Sequence, residues 1–453
     1  MKNRLNDLDS KSYMKFLKSW TLYDDNTLAD FARFFSKQRD EEEQINTIAI
    51  WGFSASDKNR LAGTGRYIVE LSPACNNRFS YAMINLSQPV FGNTRQLQSF
   101  FDKELKPLLA RLQLMLKDKA YLTLFCSNFR DGTHFFPSAW LIGKLVRAYF
   151  EMKDEKLLCC DPVPLYDAYF PLSGDKVIYA LNFRKTDNYN KSDRSVFNVS
   201  HSYSCSEIKP WFVLKPPPRK EKVKLHPAKF PEILVEKYIK QYSNAGDNIF
   251  DPMSGTGSTQ LAALSMQRNA YGCELADHFH EIALHRITHI DHNNDYYLAL
   301  DDAWNFDKHE RFPAYFDYII TSPPYWDMLN MDGAHTQKAR NRNGLRTNYS
   351  ELDTDIGNCA NYDIFLTRLL KIYNKILLRL KPGGYFTVII KNIKKKGVIY
   401  TFAWDIVENL TKKVDISQIH FWLQDDIRIA PYGYGNAWVS NTFHQYCLTF
   451  KKP

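Results

Sequence analysis

Hydrophobic and polar positions follow two patterns in the second half of the chain, one typical of helices and one typical of strands. Apolar residues at helical spacing indicate helices in ILVEKYIKQY (233–242), STQLAALSMQ (258–267) and FLTRLLKIYNKILLRL (365–380). Short β-branched or aromatic runs indicate strands in DNIFDPM (247–253), NAYGCEL (269–275), FDYIITS (316–322), GYFTVIIKN (384–392) and HQYCLTFKK (444–452). Strands that alternate with helices of this length favour a parallel sheet covered on both faces, so the pattern predicts a doubly wound α/β fold.

A similar pattern occurs earlier in the chain. LKDKAYLTLFCSN (116–128) aligns without gaps on LKPGGYFTVIIKN (380–392), and the same offset carries Ala139-Trp140 onto Ala403-Trp404. The segments also end alike, with YALNFRK (179–185) against YCLTFKK (446–452). Shared α/β grammar explains part of such a match, but the register holds over more than one element. We predict that residues 81–185 are a worn copy of residues 318–452, which makes the N-terminal α/β half a degenerate partial repeat.

One segment interrupts the alternating pattern. KPPPRKEKVKLHP (215–227) combines three prolines with a basic run, as linkers do. We therefore predict an N-terminal domain over residues 1–214, a basic linker over 215–225 and a second domain over 226–453. A chain of 453 residues is long enough for two domains.

Composition narrows the class of protein only slightly. The net charge of +9 is compatible with a polyanionic partner without requiring one. The N-terminus lacks an apolar signal segment, and no apolar run is long enough to span a bilayer, so we expect a cytoplasmic protein without a membrane partner. The eight cysteines have no CxxC spacing, which favours reduced thiols over a zinc site or a disulfide framework.

The segment IFDPMSGTGS (249–258) places an acidic residue at a strand end and two glycines before a helix. Glycine lets a ligand approach the backbone, and the helix N-terminus offers N–H groups to an anionic group such as a carboxylate. A plain β-to-α turn would use the same residues. Glu274 and Asp302 fall at the next two strand ends, where one can accept ribose hydroxyls and the other an adenine amine. Each is alternatively a surface carboxylate or a helix cap.

The segment FDYIITSPPYWDM (316–328) ends a strand in a stiff loop, because consecutive prolines fix their φ angles and donate no hydrogen bonds. The exocyclic amine of cytosine or adenine is a poor nucleophile and needs acceptors that draw its N–H groups toward tetrahedral geometry. Ser322 Oγ and the Pro323 carbonyl could supply them. Tyr325, with Trp326 beside it, offers an aromatic face to a base swung out of its stack. The alternative is a proline-bounded strand end with a core tyrosine.

Together these motifs resemble those of the S-adenosylmethionine-dependent DNA amino methyltransferases. HPAKFPEILVEKYI (226–239) is similar to the family's lead-in motif, DPMSGTGS (251–258) to its cofactor loop, GCEL (272–275) to its ribose contact and TSPPY (321–325) to its catalytic motif. The resemblance implies a Rossmann-like methyltransferase sheet, S-adenosyl-L-methionine as cofactor and double-stranded DNA as substrate.

The resemblance also assigns residues. It implies that Asp251, Gly255 and Gly257 hold the methionine part of the cofactor, Glu274 the ribose and Asp302 the adenine, while His226 and Pro227 close the pocket. Met253, Ser254, Leu275 and Ala303 complete the expected cofactor contacts, and Ser322, Pro323, Pro324 and Tyr325 form the catalytic motif. Members with serine before Pro-Pro-Tyr more often methylate cytosine N4 than adenine N6, so we expect N4, with N6 as the alternative.

Two departures bear on DNA recognition. The N-terminal copy has LSQPVF (86–91) in place of Ser-Pro-Pro-Tyr and no glycine loop, so we expect it to be inactive and to serve as scaffold or DNA-contacting surface. The short span after Tyr325 leaves little room for a recognition domain, so we expect recognition to be shared between the loop 327–350 and the N-terminal half. Predicted DNA contacts are Trp326, Lys338, Arg340, Arg342, Arg346 and Lys391. The alternative for these basic residues is a solvated loop or turn.

Other functions are less compatible with the residues. His285 and His289 share a helix face, but no HExxH pattern occurs and we expect no metal. A cytosine C5 methylase would need a Pro-Cys nucleophile, and the chain has no Pro-Cys dipeptide. An RNA amino methyltransferase and a non-catalytic DNA-binding subunit stay open as alternatives. The expected role is host protection in a restriction-modification or phage-defence system, with a companion nuclease as a candidate partner.

Overall fold

A computed structural model describes most of the chain. The described residues are 6–40, 42, 44–87, 91–131, 134–186, 201–202, 208–215, 230–326, 354–395, 397–425 and 442–453. The predicted linker lies almost wholly outside them, so the domain boundaries stay a prediction.

The described residues form β-strands on both sides of residue 214. Before it lie β1 (Trp20–Leu22), β2 (Thr47–Trp51), β3 (Tyr67–Glu70), β4 (Phe79–Leu86), β5 (Leu116–Cys126), β6 (Phe129–Asp131), β7 (His134–Phe136), β8 (Glu151–Cys160), β9 (Val163–Pro164), β10 (Leu172–Gly174), β11 (Lys176–Arg184), β12 (His201–Ser202) and β13 (Trp211–Val213). After it lie β14 (Asn248–Asp251), β15 (Asn269–Glu274), β16 (Tyr296–Leu300), β17 (Phe316–Thr321), β18 (Leu380–Ile390), β19 (Ile393–Lys395), β20 (Val398–Tyr400), β21 (Asp415–Leu423) and β22 (His444–Lys451).

Helices fill the intervals between strands. They are α1 (Ser10–Phe16), α2 (Thr27–Phe35), α3 (Ala55–Ala62), α4 (Thr94–Phe100), α5 (Lys106–Met115), α6 (Ser138–Val146), α7 (Glu232–Tyr242), α8 (Ser258–Ser265), α9 (Asp277–Ile287), α10 (Tyr362–Leu378) and α11 (Phe402–Leu410). A π-helical turn, Phe101–Leu105, joins α4 to α5, and 3-10 turns occupy Ala303–Lys308 and Ile356–Asn358. The long α10 begins where Asn361 caps it by accepting a hydrogen bond from Ile364 N.

The larger sheet has the strand order β16-β15-β14-β17-β18-β22-β21-β13-β10-β9. Its first five strands are parallel, with α7 and α8 in the core on one face and α10 and α11 in the core on the other. This confirms the predicted doubly wound α/β fold. One detail differs, because β22 runs antiparallel to both β18 and β21. Alternating hydrophobicity identifies buried positions but carries no information about strand direction.

The smaller sheet repeats this topology in the N-terminal half. Its order is β3-β2-β4-β5-β11-β8-β1, which corresponds strand for strand to the run from β15 to β13 in the larger sheet. In each seven-strand run the fifth strand, β11 or β22, is antiparallel to both neighbours, and the short seventh strand, β1 or β13, is parallel to the sixth. The degenerate repeat is therefore more complete than predicted, since it extends upstream of residue 81 to β1 and β2.

Register and side-chain contacts match as closely as strand order. Tyr81 pairs with Tyr121 as Tyr318 pairs with Tyr385, and each pairing follows a bulge at the same position. The Tyr81 hydroxyl donates to Thr123 Oγ1 at 2.6 Å, and the Tyr318 hydroxyl donates to Thr387 Oγ1 at 2.8 Å. These shared contacts allow residues of the two units to be compared position by position.

We call the part of the chain built on the smaller sheet the N-terminal unit and the part built on the larger sheet the second unit. The two units pack against each other through equivalent residues. Trp140 of α6 and Trp404 of α11 are fully buried and stack with ring centroids 6.0 Å apart. The Trp20 indole donates to Gln424 O and the Trp211 indole to Cys160 O, each at 3.0 Å. One hydrophobic core runs through both units at this interface. The two units therefore share one continuous hydrophobic core.

We expect the Trp404→Ala variant to be strongly destabilised. Removing a fully buried indole leaves a cavity at the centre of the shared core, which costs about 3–5 kcal/mol of unfolding free energy. The Trp304→Ala variant is the control, because Trp304 is 46% exposed and its loss should cost under about 1 kcal/mol. Urea unfolding followed by circular dichroism measures both. Equal losses in the two variants would contradict this account of the interface.

Candidate active site

A cleft opens at the carboxyl ends of β14, β15, β16 and β17. This edge of an open α/β sheet is where ligands bind. Nine predicted site residues line it: Met253, Gly255, Glu274, Leu275, Asp302, Ala303, Ser322, Pro323 and Pro324. The fold therefore brings the predicted cofactor loop, the two acidic strand ends and the Ser-Pro-Pro segment together around one space.

The cofactor loop is shaped by two glycines with positive φ. Gly255 has φ 53° and Gly257 has φ 77°, a region that residues with a side chain rarely adopt. A Cβ on Gly257 would lie 2.9 Å from the Ala283 Cβ of α9, so the helix packs directly on this glycine. Ser254 faces inward, where its hydroxyl donates to Asp251 O and accepts from Gln260 Nε2. Within this loop, Met253 and Gly255 face the cleft.

Asp251 lies behind the cleft rather than in its lining. Its carboxylate is fully buried and accepts hydrogen bonds from Met253 N at 3.0 Å, Thr259 Oγ1 at 2.6 Å and Thr321 Oγ1 at 2.8 Å. Burial raises the pKa of Asp251 to about 6, against the lowering effect of these three donors. The residue thus ties the glycine loop, α8 and the strand of the Ser-Pro-Pro segment together. Its expected contact with the methionine part of the cofactor stays a prediction.

Glu274 faces the cleft at the end of β15. Its two oxygens accept from Gly255 N at 2.7 Å and Ala276 N at 2.9 Å. The pKa of Glu274 is raised to about 7, mainly by burial; the two backbone amides oppose the rise and the carboxylates of Asp251 and Asp355 add to it. The carboxylate is therefore fixed in position and titrates near neutrality.

Asp302 begins the 3-10 turn Ala303–Lys308 at the edge of the cleft. One of its oxygens accepts from Trp304 N at 2.8 Å, which holds the side chain at the start of the turn. Its neighbour Asp301 accepts from His309 Nε2 at 3.0 Å, and the Tyr297 hydroxyl lies 3.1 Å from His309 Nδ1. This chain of contacts anchors the turn beneath Asp302.

The catalytic loop, defined here as residues 322–326, follows β17 directly. Ser322, Pro323 and Pro324 line the cleft. Tyr325 and Trp326 are buried at 8% and 5% exposure. The Trp326 indole donates to Cys359 O at 2.8 Å and its ring packs edge-on against Tyr400. Trp326 is thus held by contacts within the fold, and its expected contact with a base stays a prediction.

Lys391 lies against the catalytic loop rather than on an open surface. Its ammonium nitrogen is 5.3 Å from the centroid of the Tyr325 ring, and burial lowers the pKa of Lys391. In the same basic segment, the ammonium nitrogen of Lys395 lies 4.1 Å from the centroid of the Trp326 ring, and Lys394 forms an ion pair with Asp154. The predicted DNA contact of Lys391 stays a prediction, whereas its contact with Tyr325 is part of the fold.

Several predicted residues lie outside the described part of the chain. They are His226 and Pro227 of the lead-in motif and Lys338, Arg340, Arg342 and Arg346 of the loop 327–350. Their assigned contacts stay predictions. Six further lining residues were not selected from sequence: Pro252, Ala276, Thr354, Asp355, Ile356 and Ile372. Asp355 caps a 3-10 turn through Gly357 N, and the pattern Asp-x-Gly was its only sequence signal.

The cleft is anionic although the chain is basic. Among the described residues, its lining contains the carboxyl groups of Glu274, Asp302 and Asp355 and no lysine, arginine or histidine. In the described residues no group of three or more histidine, cysteine, aspartate or glutamate side chains could hold a metal. The cleft therefore suits a ligand that carries positive charge and hydroxyl or amine donors.

The N-terminal unit has apolar residues at the positions equivalent to Asp251 and Thr321. Ile48 pairs with Tyr81 as Ile249 pairs with Tyr318, which places Ile50 where the second unit has Asp251 and Ile84 where it has Thr321. Both isoleucines are buried at 1% exposure or less. The hydrogen-bonded tie between loop and strand is thus replaced by apolar packing.

In the described residues no helix is long and apolar enough to cross a membrane. The cytoplasmic location stays a prediction.

Comparison with known proteins identifies the class of the chain. The family model described as DNA methylase, of the N6 and N4 type, matches residues 20–285, more than half of the chain. The match includes the N-terminal unit, the glycine loop and Glu274, and it ends before Ser322. It overlaps the second-half motifs over residues 226–285 and does not reach the Ser-Pro-Pro-Tyr motif.

Individual relatives match shorter segments. The orphan methyltransferase M.BamHII of Bacillus amyloliquefaciens is 42% identical over 62 residues, 14% of this chain and 23% of the relative. The Type II methyltransferase M.HinfI of Haemophilus influenzae is 32% identical over 117 residues, 25% of this chain and 30% of the relative. The Type II methyltransferase M.MjaI of Methanocaldococcus jannaschii is 30% identical over 104 residues, 22% of this chain and 34% of the relative. The chain thus spans about a quarter to a third of these relatives' lengths.

Solved structures resemble the chain only distantly. The 16S rRNA N2 G1207 methyltransferase RsmC of T. thermophilus, in complex with AdoMet and guanosine, covers 90% of this chain and 88% of its own at 14% identity and a TM-score of 0.28. The putative methyltransferase SMU.1697c of Streptococcus mutans, in complex with SAH, covers 50% of this chain and 99% of its own at 13% identity and a TM-score of 0.29. At these TM-scores the likenesses support no functional conclusion.

We expect the Asp251→Asn variant to change how stability depends on pH. The folded pKa of about 6 exceeds the unfolded value of 3.8, so the folded state holds the proton more tightly and wild-type stability falls as pH rises from about 4 to 6. Asparagine does not titrate, so the variant should gain up to about 3 kcal/mol relative to wild type across this window. Urea titrations at pH 4, 5, 6 and 7 measure the difference. Parallel curves for the two proteins would show that Asp251 is not the titrating group.

Proposed function

The chain belongs to the N6/N4 DNA methylase family, and from this premise we propose that it transfers a methyl group from S-adenosylmethionine to the N4 amine of cytosine in double-stranded DNA. One observation carries the proposal. The glycine loop, Glu274, Asp302 and the Ser322-Pro323-Pro324 segment line a single cleft, so groups suited to the methyl donor face groups suited to the acceptor amine.

The lining fits S-adenosylmethionine in charge and in hydrogen bonding. Its carboxyl groups favour the cationic sulfonium and ammonium of that molecule. Glu274 is held where it can accept the ribose hydroxyls, and Asp302 where it can accept the adenine amine. Gly255 brings bare backbone to the methionine part. When bound, the cofactor supplies an electrophilic methyl group, and this chain's residues orient it toward the Ser-Pro-Pro segment.

Ser322 and Pro323 act on the acceptor amine. Ser322 Oγ and the Pro323 carbonyl accept hydrogen bonds from the two N–H groups, which directs the nitrogen lone pair at the methyl group. The paired prolines keep these acceptors in place before substrate arrives, so little reorganisation is needed during the reaction. Asp251 assists at a distance, because its bond to Thr321 fixes the residue that precedes Ser322.

The choice of base rests on Ser322. We propose cytosine N4 because the position before Pro-Pro-Tyr is serine, and adenine N6 is the second candidate because the family includes both activities. The names of the Type II relatives support host protection in a restriction-modification system as the biological role. A companion nuclease belongs to the same proposal.

We expect purified protein to label unmethylated genomic DNA with tritium from S-adenosylmethionine, with the label in N4-methylcytosine. Digestion to nucleosides and mass spectrometry identify the product. The Ser322→Ala variant should lose at least about a hundredfold in rate, since a positioned acceptor is removed from the reacting amine.

Asn85→Ala is the matched control for Ser322→Ala. Continuing the shared register past Ile84 and Thr321 gives Asn85 of the N-terminal unit the position equivalent to that of Ser322. Because Asn85 belongs to the unit without the Ser-Pro-Pro-Tyr motif, removing its side chain should leave the rate unchanged. Label in N6-methyladenine would overturn the choice of base and keep the mechanism. Label in RNA, or no label in any nucleic acid, would reject the proposed function.

We expect cofactor affinity to rise with pH through about 7. Ribose hydroxyls donate to the ionised carboxylate of Glu274, whose pKa is about 7, so binding at pH 6 should be about tenfold weaker than its limit at high pH. Calorimetry from pH 5.5 to 7.5 measures this, with a stoichiometry of one per chain because the N-terminal unit lacks the loop tie. Glu274→Gln should bind weakly without the pH dependence, and the exposed Glu281→Gln should behave as wild type. An unaltered pH profile in Glu274→Gln would exclude this role.

A further inference from the structure

The segment 391–400, which contains β19 and β20, forms the back support of the catalytic loop. Lys391 and Lys395 lie over the rings of Tyr325 and Trp326, at 5.3 and 4.1 Å from the ring centroids. The Tyr400 ring packs edge-on against Trp326 at 5.1 Å. Both aromatic residues of the loop therefore contact this segment.

The other side of the segment 391–400 is held by β8 of the N-terminal unit. Asn392 Nδ2 donates to Glu155 Oε2 at 2.8 Å, Lys394 pairs with Asp154, and Lys153 Nζ donates to Gly397 O at 3.2 Å. Glu155 is 2% exposed and also accepts from the Tyr446 hydroxyl. Buried polar contacts of this kind have defined geometry, because leaving a partner unsatisfied is costly.

Comparison of the two units shows that the frame around Asn392 is shared. Asn392 Oδ1 accepts from Ala403 N at 3.0 Å, and its counterpart Asn128 accepts from Ala139 N at the same distance. Both asparagines thereby join the end of the central strand to the start of the next helix. This contact is common to the active and the degenerate unit, so it belongs to the fold.

The contacts with β8 are not shared. Glu155 lies opposite Leu181 as Ile419 lies opposite Leu448, so isoleucine occupies the position of Glu155 in the other unit. Asn128 Nδ2 instead donates to the Tyr179 hydroxyl of its own unit at 3.2 Å. The counterpart of Lys391 is Ser127. Of the two equivalent asparagines, Asn392, in the unit that carries the Ser-Pro-Pro-Tyr loop, thus donates to a carboxylate of the other unit, whereas Asn128 does not make this contact.

We propose that Glu155 and Asp154 of the N-terminal unit are positioning residues for the catalytic loop, acting through the segment 391–400. The inference rests on the proposed function and gives the degenerate unit a role in the reaction. The unit contributes no group to the reacting atoms. It fixes the wall against which Tyr325 and Trp326 pack, and thereby the direction in which Ser322 and Pro323 face the acceptor amine.

The expected effect of losing this support is kinetic. A displacement of about 1 Å at a reacting group costs on the order of a hundredfold in rate, whereas the cofactor side of the cleft keeps its own residues. Loss of the Glu155 contact should therefore lower kcat and leave the affinity for S-adenosylmethionine within about twofold of wild type.

Glu155→Ile tests the proposal with a residue that the shared frame already accepts at this position. In the variant, Asn392 can donate to the Tyr446 hydroxyl as Asn128 does to that of Tyr179, so the fold has a precedent in the same chain. We expect kcat for DNA methylation to fall at least about tenfold. Glu155→Gln, which keeps an acceptor for Asn392, should stay within about threefold of wild type. Wild-type kcat in Glu155→Ile would overturn the proposal.

The pair Asn392→Ser and Asn128→Ser decides the matter if Glu155→Ile fails to fold. Both variants remove the same helix contact, but only Asn392 also joins Glu155 to the catalytic loop. We expect a comparable loss of thermal stability in both and a loss of kcat in Asn392→Ser alone. Equal kcat values would overturn the proposal. An inactive wild-type protein is a separate outcome, because it rejects the proposed function itself.

Discussion

The site depends on one buried carboxylate. Asp251 accepts hydrogen bonds from the backbone of the glycine loop, from Thr259 of α8 and from Thr321 at the end of β17. A carboxylate removed from water is costly unless its oxygens are satisfied, so these three elements must meet in one arrangement. The glycine loop lines one side of the cleft, and the residue after Thr321 is Ser322, which lines the other. A single interaction therefore sets the distance between the two halves of the cleft.

Duplication supplies the frame, and departures from symmetry mark the chemistry. The two units share strand order, register and the tyrosine-to-threonine contacts beneath the sheet. They differ where Asp251 and Thr321 are replaced by Ile50 and Ile84. They differ again at Glu155 and Ile419 beside the interface. The N-terminal unit thus serves as an internal comparison, because contacts that recur in both units belong to the shared fold and the differing positions are the candidates for a role in the reaction.

Charge is divided between surface and cleft. The chain has nine more basic than acidic residues, yet the described residues that line the cleft include three carboxyl groups and no basic side chain. Such a division suits an enzyme that attracts a polyanion over its surface while it holds a cationic donor inside. It also accounts for the raised pKa of Glu274, because burial and neighbouring carboxylates both disfavour its ionised form.

The sequence by itself determined the doubly wound fold, the repeat and most of the cleft, because these depend on local signals. Alternating hydrophobicity sets strands and helices, glycines mark the loop, and strand ends converge at one edge of a parallel sheet. Tertiary structure alone decided the direction of β22, the placement of Asp251 behind the cleft, the burial of Trp326 and the entry of Asp355 into the lining. It also decided the contact of Glu155 with Asn392, between residues 237 positions apart. Spacing along the chain carries no signal for such contacts, since they arise only when two units pack face to face.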